Sequence, residues 1–176
     1  TEGNKENLNF VLEISKILKI KRKDVLKRIK NFNGLKYRQQ IIYKSKKLTI
    51  INDSKATSFS SSASILKSLK NVHWIVGGLA KKGDKFLLSK NDCKNIKAYI
   101  FGNNRGVFID ALKNIVRYES FTDLKFLVKK IFKDLNSINH QNHQIILFSP
   151  SAASFDKFKN FEERGKYFNK IIKKFS

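Results

Sequence analysis

Three short segments of this 176-residue chain hold the side chains best suited to chemistry, and each follows an apolar run. The first, Asn52-Asp53-Ser54-Lys55-Ala56-Thr57, sets a carboxylate, an ammonium and two hydroxyls directly after Leu48-Thr49-Ile50-Ile51. Such a loop can hold an anion at the positive end of the helix that follows, or can merely cap that helix through Asp53 or Ser54. The second segment, Gly77 to Asp84, pairs two glycines with Lys81 and Lys82. Paired glycines let a backbone approach a ligand closely, and a lysine beyond them can neutralise a carboxylate or a phosphate. The G-x-x-x-x-G-K-[ST] spacing of a phosphate loop is absent. The third segment, Ser149 to Gly165, opens with small residues and continues through Ser154, Phe155, Phe158 and Phe161. Free amides and Ser154 at a helix start would suit an anion. Phenylalanines at i and i+3 spacing can equally be the buried face of a closing helix, and that reading is preferred for Phe158.

The elements that must position these segments are legible from periodicity. Asn7 to about Phe32 carries apolar residues at helical spacing (Leu8, Val11, Leu12, then Val25, Leu26, Ile29), with Asp24 a plausible start for a second helix. Two helices ending near Asn33-Gly34 predict an αα hairpin and a boundary, dividing the chain into residues 1–34 and 35–176. Beyond it, strands are expected at Tyr37–Tyr43, Lys47–Asn52, Val72–Val76, Ile96–Phe101, Ile115–Tyr118 and Ile145–Phe148. Helices are expected at Ser58–Leu69, Val107–Leu112, Phe121–Leu135 and Asp156–Phe175. Near-continuous apolar strands alternating with helices indicate an α/β domain with a mostly parallel sheet covered on both faces. Ligands of such sheets bind beyond the carboxyl ends of the strands, here after Asn52, Val76 and Phe148.

Composition narrows the classes. With 41% hydrophobic residues the chain can bury a core. It contains no methionine, which leads us to expect a fragment or processed piece. No apolar run approaches the roughly 20 residues of a membrane span, and no signal peptide opens the sequence, so a cytoplasmic setting is expected. The lone Cys93 has no partner for an internal disulfide. The formal charge of +23 would attract polyanions, making a basic α/β nucleic-acid-binding module the alternative function. Against it, the lysines are scattered and arginine is scarce, as codon bias in an AT-rich genome would give. A binding module should gather its charge on one face or groove; a ligand site at the strand ends would leave the rest diffuse.

In order and spacing, the three segments resemble the D-glutamate-adding branch of the Mur ligases. The strings N-D-S-K-A-T (Asn52–Thr57) and S-P-x-x-A-S-x-D-x-F-K-N-F-E-x-R-G (Ser149–Gly165) carry the resemblance. Asn4-x-x-Asn7 resembles the H-N-x-x-N motif ending the family's central ATPase domain, with Gly3 in place of histidine. Gly34-Leu35-Lys36-Tyr37-Arg38 resembles its G-L-x-H-R hinge, with Tyr37 in place of histidine. The resemblance covers essentially the whole chain. It implies a dinucleotide-fold-like C-terminal Mur ligase domain over 35–176, preceded by a helical remnant of the ATPase domain over 1–34.

The function so implied is ATP-dependent joining of D-glutamate to UDP-N-acetylmuramoyl-L-alanine through an acyl phosphate, in peptidoglycan precursor synthesis. Thr57, Lys81, Ser154, Phe155 and Phe161 would form the D-glutamate pocket, with Lys55 nearby as a second cation and Lys82 the alternative to Lys81. Asn4, Asn7, Arg38 and Asp53 would contact ATP, Asp53 taking ribose hydroxyls and Arg38 reaching the phosphates. The family's phosphate loop, magnesium ligands and UDP-binding domain have no counterpart in this sequence, so no catalytic or metal-binding residue is assigned. Thr57, Lys81 and Ser154 are expected to meet at one edge of the sheet.

Overall fold

The computed structural model describes residues 2–32, 34–137 and 142–175, with side chains from residue 6 onward. The chain divides into two compact units, Thr1–Gly34 and Leu35–Ser176. The first holds two helices, α1 (Glu2–Ile17) and α2 (Arg22–Lys30). The second helix starts two residues before Asp24, which instead lies in its first turn, where a carboxylate meets the positive end of the helix dipole. Lys19, at φ 55°, turns the chain between them.

The second unit is built on one six-stranded sheet. Its strands are β1 (Gln40–Lys44), β2 (Leu48–Asn52), β3 (Val72–Gly77), β4 (Ile96–Phe101), β5 (Arg117–Phe121) and β6 (Gln144–Phe148). They lie in the order β1-β2-β6-β3-β4-β5, and every pairing except β1 with β2 is parallel. The helices are α3 (Phe59–Ser68), α4 (Arg105–Leu112), α5 (Leu124–Ser137) and α6 (Phe161–Ile172). Side chains alternate across the sheet, so one strand feeds two cores. On one face Trp74, Val76, Ala98, Ile100 and Leu147 pack with Phe59, Ile65 and Leu66 of α3 and Phe108 and Leu112 of α4. On the other, Ile50, Ile75, Tyr99, Ile146 and Phe148 pack with Leu127, Val128 and Ile131 of α5 and Phe168 and Ile171 of α6. The expected α/β architecture with a mostly parallel, doubly covered sheet is what the chain forms.

Element boundaries differ from the sequence reading where local chemistry overrides periodicity. The first strand begins at Gln40 rather than Tyr37, because Tyr37 and Gln39 both turn through positive φ (63° and 47°). The fifth runs Arg117–Phe121 rather than Ile115–Tyr118, since Ile115 and Val116 still donate their amides to Leu112 O at the end of α4. As an edge strand it shows no continuous apolar run. α5 begins at Leu124, after Asp123, whose carboxylate accepts the Lys125 amide at 2.7 Å. The closing helix starts at Phe161, not Asp156. There Asn160 caps it by accepting the Glu163 amide at 2.8 Å, while Glu163 Oε2 accepts the Lys159 amide at 2.8 Å. Cys93 is buried among apolar side chains, which push its thiol up to about 11 and leave it a packing residue.

β3 ends in a close crossing of two backbones. Gly77 has φ 142°, and a Cβ built there would lie 2.1 Å from Phe101 O on β4. We expect Gly77→Ala to destabilise the domain by about 3 kcal/mol, through a strained φ and a backbone clash that cannot relax separately. Gly106, in the first turn of α4, is the control, because a Cβ there would meet nothing within 4 Å. Its replacement by alanine should change stability by less than about 1 kcal/mol, in the stabilising direction. Urea unfolding midpoints of the two variants check both.

Candidate functional site

β2, β6 and β3 are neighbours in the sheet, and all three run the same way, so the segments that follow them leave from one edge. The chain runs one way across the sheet from β1 to β5 and then returns to insert β6 between β2 and β3, and α3 after β2 and α6 after β6 pack on opposite faces there. Open parallel sheets offer a ligand crevice at such a point. The three segments are tied to one another there. The Gly77 amide donates to Pro150 O at 3.0 Å, and Leu79 and Ala153 exchange both backbone bonds at 3.0 Å. Asp84 crosses to the start of α3 and accepts the Phe59 amide at 2.6 Å.

The first segment is largely inward-facing. Asn52, fully buried, donates through Nδ2 to Gly165 O (2.9 Å) and Asn169 Oδ1 (2.7 Å), and its Oδ1 accepts the Ser54 amide. Asp53 is also buried. Its Oδ1 accepts the Gln39 amide at 3.1 Å and its Oδ2 the Ser149 hydroxyl at 2.8 Å, so one carboxylate links the segment before β1 to the end of β6. Burial pushes the Asp53 carboxyl up to about 6, against the lowering effect of the Ser149 and Gln39 bonds and the charge of Arg38. Lys55 is half-buried, with its ammonium 4.1 Å from the centre of the Phe161 ring. Thr57 is exposed. The cap of α3 is Ser58, accepting the Ser61 amide, and neither Asp53 nor Ser54 caps it. With Ser58 and Asp84 on its first amides, that helix end is filled from within.

The paired glycines of the second segment serve the protein's own backbone. Beside the Gly77 crossing, a Cβ on Gly78 would lie 2.8 Å from Ala153 O and 3.2 Å from Arg164 Nη1. The close approach is therefore to neighbouring strand-end segments. Lys81 and Lys82 beyond them are both exposed. In the third segment Ser154 is buried, and its carbonyl accepts the Lys157 and Phe158 amides. It thus sits in a tight turn rather than at the start of α6. Phe155 is 72% exposed, whereas Phe161 is partly buried beneath Lys55. Phe158 is half-buried and lies ahead of α6 rather than within it, with its ring packed on Tyr167 of that helix. Together the folded segments join Lys55 to Phe161 and tie the stretch before Lys81 to the stretch before Ser154.

Of the residues assigned to the nucleotide, Arg38 is exposed and Asp53 adjoins its backbone through Gln39. Asn7 is exposed on α1, and the side chain of Asn4 lies outside the described residues. Sequence reasoning gave no role to three residues that organise the site. Arg164 is fully buried and donates to Ser54 Oγ, Ser54 O and Ala152 O at 3.1, 2.7 and 2.9 Å. Burial pulls its guanidinium down to about 10. Ser62 joins Ser149 and Ser151 through hydroxyl bonds of 2.7 Å, and Trp74 donates its indole N–H to Ser149 O at 2.8 Å. Spacing gives Ser62 and Trp74 no mark, and Arg164, although it stands in the Ser149–Gly165 string, has partners that the string does not reveal.

Among the described residues no group of three or more His, Cys, Asp or Glu side chains could hold a metal ion, and no helix is long and apolar enough to cross a membrane. Exposed lysines occur on both faces of the sheet, Lys67 on α3 and Lys129, Lys133, Lys166 and Lys170 on α5 and α6. That diffuse pattern does not form a single basic face.

No family model matches the chain. Curated relatives do. The "UDP-N-acetylmuramoylalanine--D-glutamate ligase" of Wolbachia sp. subsp. Brugia malayi (strain TRS) is 36% identical over 98% of this chain and 34% of its own length. Those of Rickettsia prowazekii (strain Madrid E) and Francisella philomiragia subsp. philomiragia are 34% and 35% identical over 97% of this chain, and over 38% and 41% of their own lengths. The chain thus spans between about a third and two fifths of the length of these relatives. Nothing in them favours a nucleic-acid-binding module.

The buried Asp53 makes a pH prediction. The folded protein holds this proton more tightly than an unfolded chain does, so Asp53 lowers stability as pH rises from about 4 to about 6, and the penalty is constant above. An Asp53→Asn variant has no proton to lose and keeps an oxygen for the Gln39 amide. Its stability relative to the unsubstituted chain should therefore rise by on the order of 3 kcal/mol between pH 4 and pH 7. Denaturation midpoints across that range check it; a difference that stays level would show that Asp53 ionises as a solvated carboxylate does.

Proposed function

We propose that this chain, which belongs to the D-glutamate-adding Mur ligases and corresponds to their C-terminal part, forms the amino-acid-binding wall of such a ligase. The observation that supports this best is the joining of three strand-end segments at one sheet edge, with Lys55, Lys81 and Ser154 on them. D-glutamate carries two carboxylates and one amine. Lys81 pairs with one carboxylate, and Ser154 and the backbone beside Phe155 hydrogen-bond one, while Thr57 and Phe161 bound the pocket. Lys55, held over Phe161, adds a second positive charge close by. Held this way, the amine is directed at an activated carboxyl of UDP-N-acetylmuramoyl-L-alanine. Positioning and charge neutralisation are the protein's main contributions to such a step, because both reactants are anionic.

ATP would supply the phosphoryl group that activates the acceptor carboxylate. Arg38, Asp53, Asn7 and Asn4 are the residues of this chain assigned to it, with residues 1–34 as the end of the ATP-binding domain. Asp53 fits that role only through the lone pairs left beside Gln39 N and Ser149 Oγ. Magnesium is on this reading a cofactor of the parent enzyme, and no residue of this chain is assigned to it. On this reading the parent enzyme works in the cytoplasm in cell-wall precursor synthesis, and the 176 residues alone have neither ligase nor ATPase activity.

The test is a graft in which this chain replaces the matching stretch of the Rickettsia prowazekii relative. The graft should ligate D-glutamate, and its Lys81→Ala variant should show kcat/KM for D-glutamate lowered roughly ten- to over a hundredfold, through a raised D-glutamate requirement and a lowered turnover. That range is what loss of one charge-assisted bond of about 1.5–3 kcal/mol gives. The same loss in Lys82→Ala instead would move the role by one residue. Unchanged dependence on D-glutamate in both variants would make the two lysines ordinary surface charges.

A further inference from the structure

We infer that Arg164 is the positioning residue of the D-glutamate pocket, setting the separation between the Ser54–Lys55 and Ala152–Ser154 stretches. The inference rests on the pocket proposed above. Arg164 is wholly inaccessible, and no ion pair among the described residues includes it. The charge of Asp156 lies near enough to favour the guanidinium but makes no ion pair with it. The buried cation is therefore costly, and an apolar side chain of similar volume would fill the space at lower cost. What the guanidinium supplies instead is a planar fork of donors. One edge takes Ser54 twice, through Nε to Oγ and Nη2 to O, and Nη1 takes Ala152 O. Both carbonyls belong to backbone that has left the sheet and has no ladder partner. The second segment is fitted against the same group, since a methyl on Gly78 would come within 3.2 Å of Nη1.

These anchors lie next to the pocket's own groups. Lys55 follows Ser54, Ser154 is two residues beyond Ala152, and Lys81 is three beyond Gly78. The fork is itself delivered at a defined place. Asn160 and Glu163 fix the start of α6, and Gly165 lies flush under the Tyr37 ring, where a Cβ would come within 2.3 Å. A lysine would keep the charge, but its three donors radiate from one nitrogen and cannot span the Ser54 and Ala152 acceptors that the guanidinium fork reaches from three.

The test compares the unsubstituted chain with Arg164→Lys by amide hydrogen exchange and by D-glutamate titration followed by NMR. In R164K the Leu79 and Ala153 amides should exchange roughly tenfold faster or more, with β3 and β4 amides unchanged. D-glutamate affinity, weak in the unsubstituted chain, should fall by roughly tenfold or more. Equal acceleration of all amides, or unchanged affinity, would overturn the proposal and leave Arg164 a general stabiliser. No D-glutamate binding by the unsubstituted chain would overturn the pocket itself, and the proposal with it. If R164K does not fold, Ser54→Ala removes one acceptor and should accelerate the same two amides to a smaller degree; no selective change there would likewise overturn it.

Discussion

Where β2, β6 and β3 leave the sheet, their backbone groups lose their ladder partners while still buried, and those groups must find new ones. Nearly every unusual feature at this end of the domain answers that constraint. Ser149, the first residue past β6, is held through its amide to Ile75 O, its carbonyl to the Trp74 indole, and its hydroxyl to Asp53 and Ser62. Ser54 and Ala152 receive the Arg164 guanidinium. Gly77 and Gly78 let the segment after β3 run close enough to bond Pro150 and Ala153. The two hydrophobic cores fix the sheet, and this polar layer fixes what stands on its edge.

The division of labour between buried and exposed groups follows. Asn52, Ser54, Ser149 and Arg164 are consumed by the fold, while Thr57, Lys81, Lys82 and Phe155 reach solvent at the rim. A rigid base with a few free cations is what recognition of a small dianion calls for, because little ordering cost is left to meet on binding. It also gives the overall charge of +23 a modest meaning. Most of those lysines solvate both faces of the domain, and on the proposed reading only two or three act on a ligand.

The sheet was legible because its buried strands are near-continuous apolar runs, such as Ile96–Phe101, and those boundaries came out nearly exact. Elements governed by turn chemistry were less so. Nothing in periodicity distinguishes Phe155–Phe158 as a turn from a first helical turn; Asn160 decides it, by capping. The three segments after the strands were identifiable as chemistry-bearing, but the use of each residue was not. The paired glycines look like a ligand loop and instead accommodate Phe101 and Ala153, and the hydroxyls of the first segment look like caps while Ser58 does the capping. Arg164 stands in the Ser149–Gly165 string but was not legible as an organiser, because its Ser54 partner lies far away in sequence and charge in a sequence usually signals a solvated face.

The central claim is that the three strand-end segments form one D-glutamate site. Crystals of the chain soaked in D-glutamate test it most directly. The account predicts density for the amino acid between the segments after β2, β3 and β6, with a carboxylate against Lys81 or Lys82 and another group of the ligand against Ser154. Density elsewhere on the basic surface, with that edge of the sheet holding none, would contradict it.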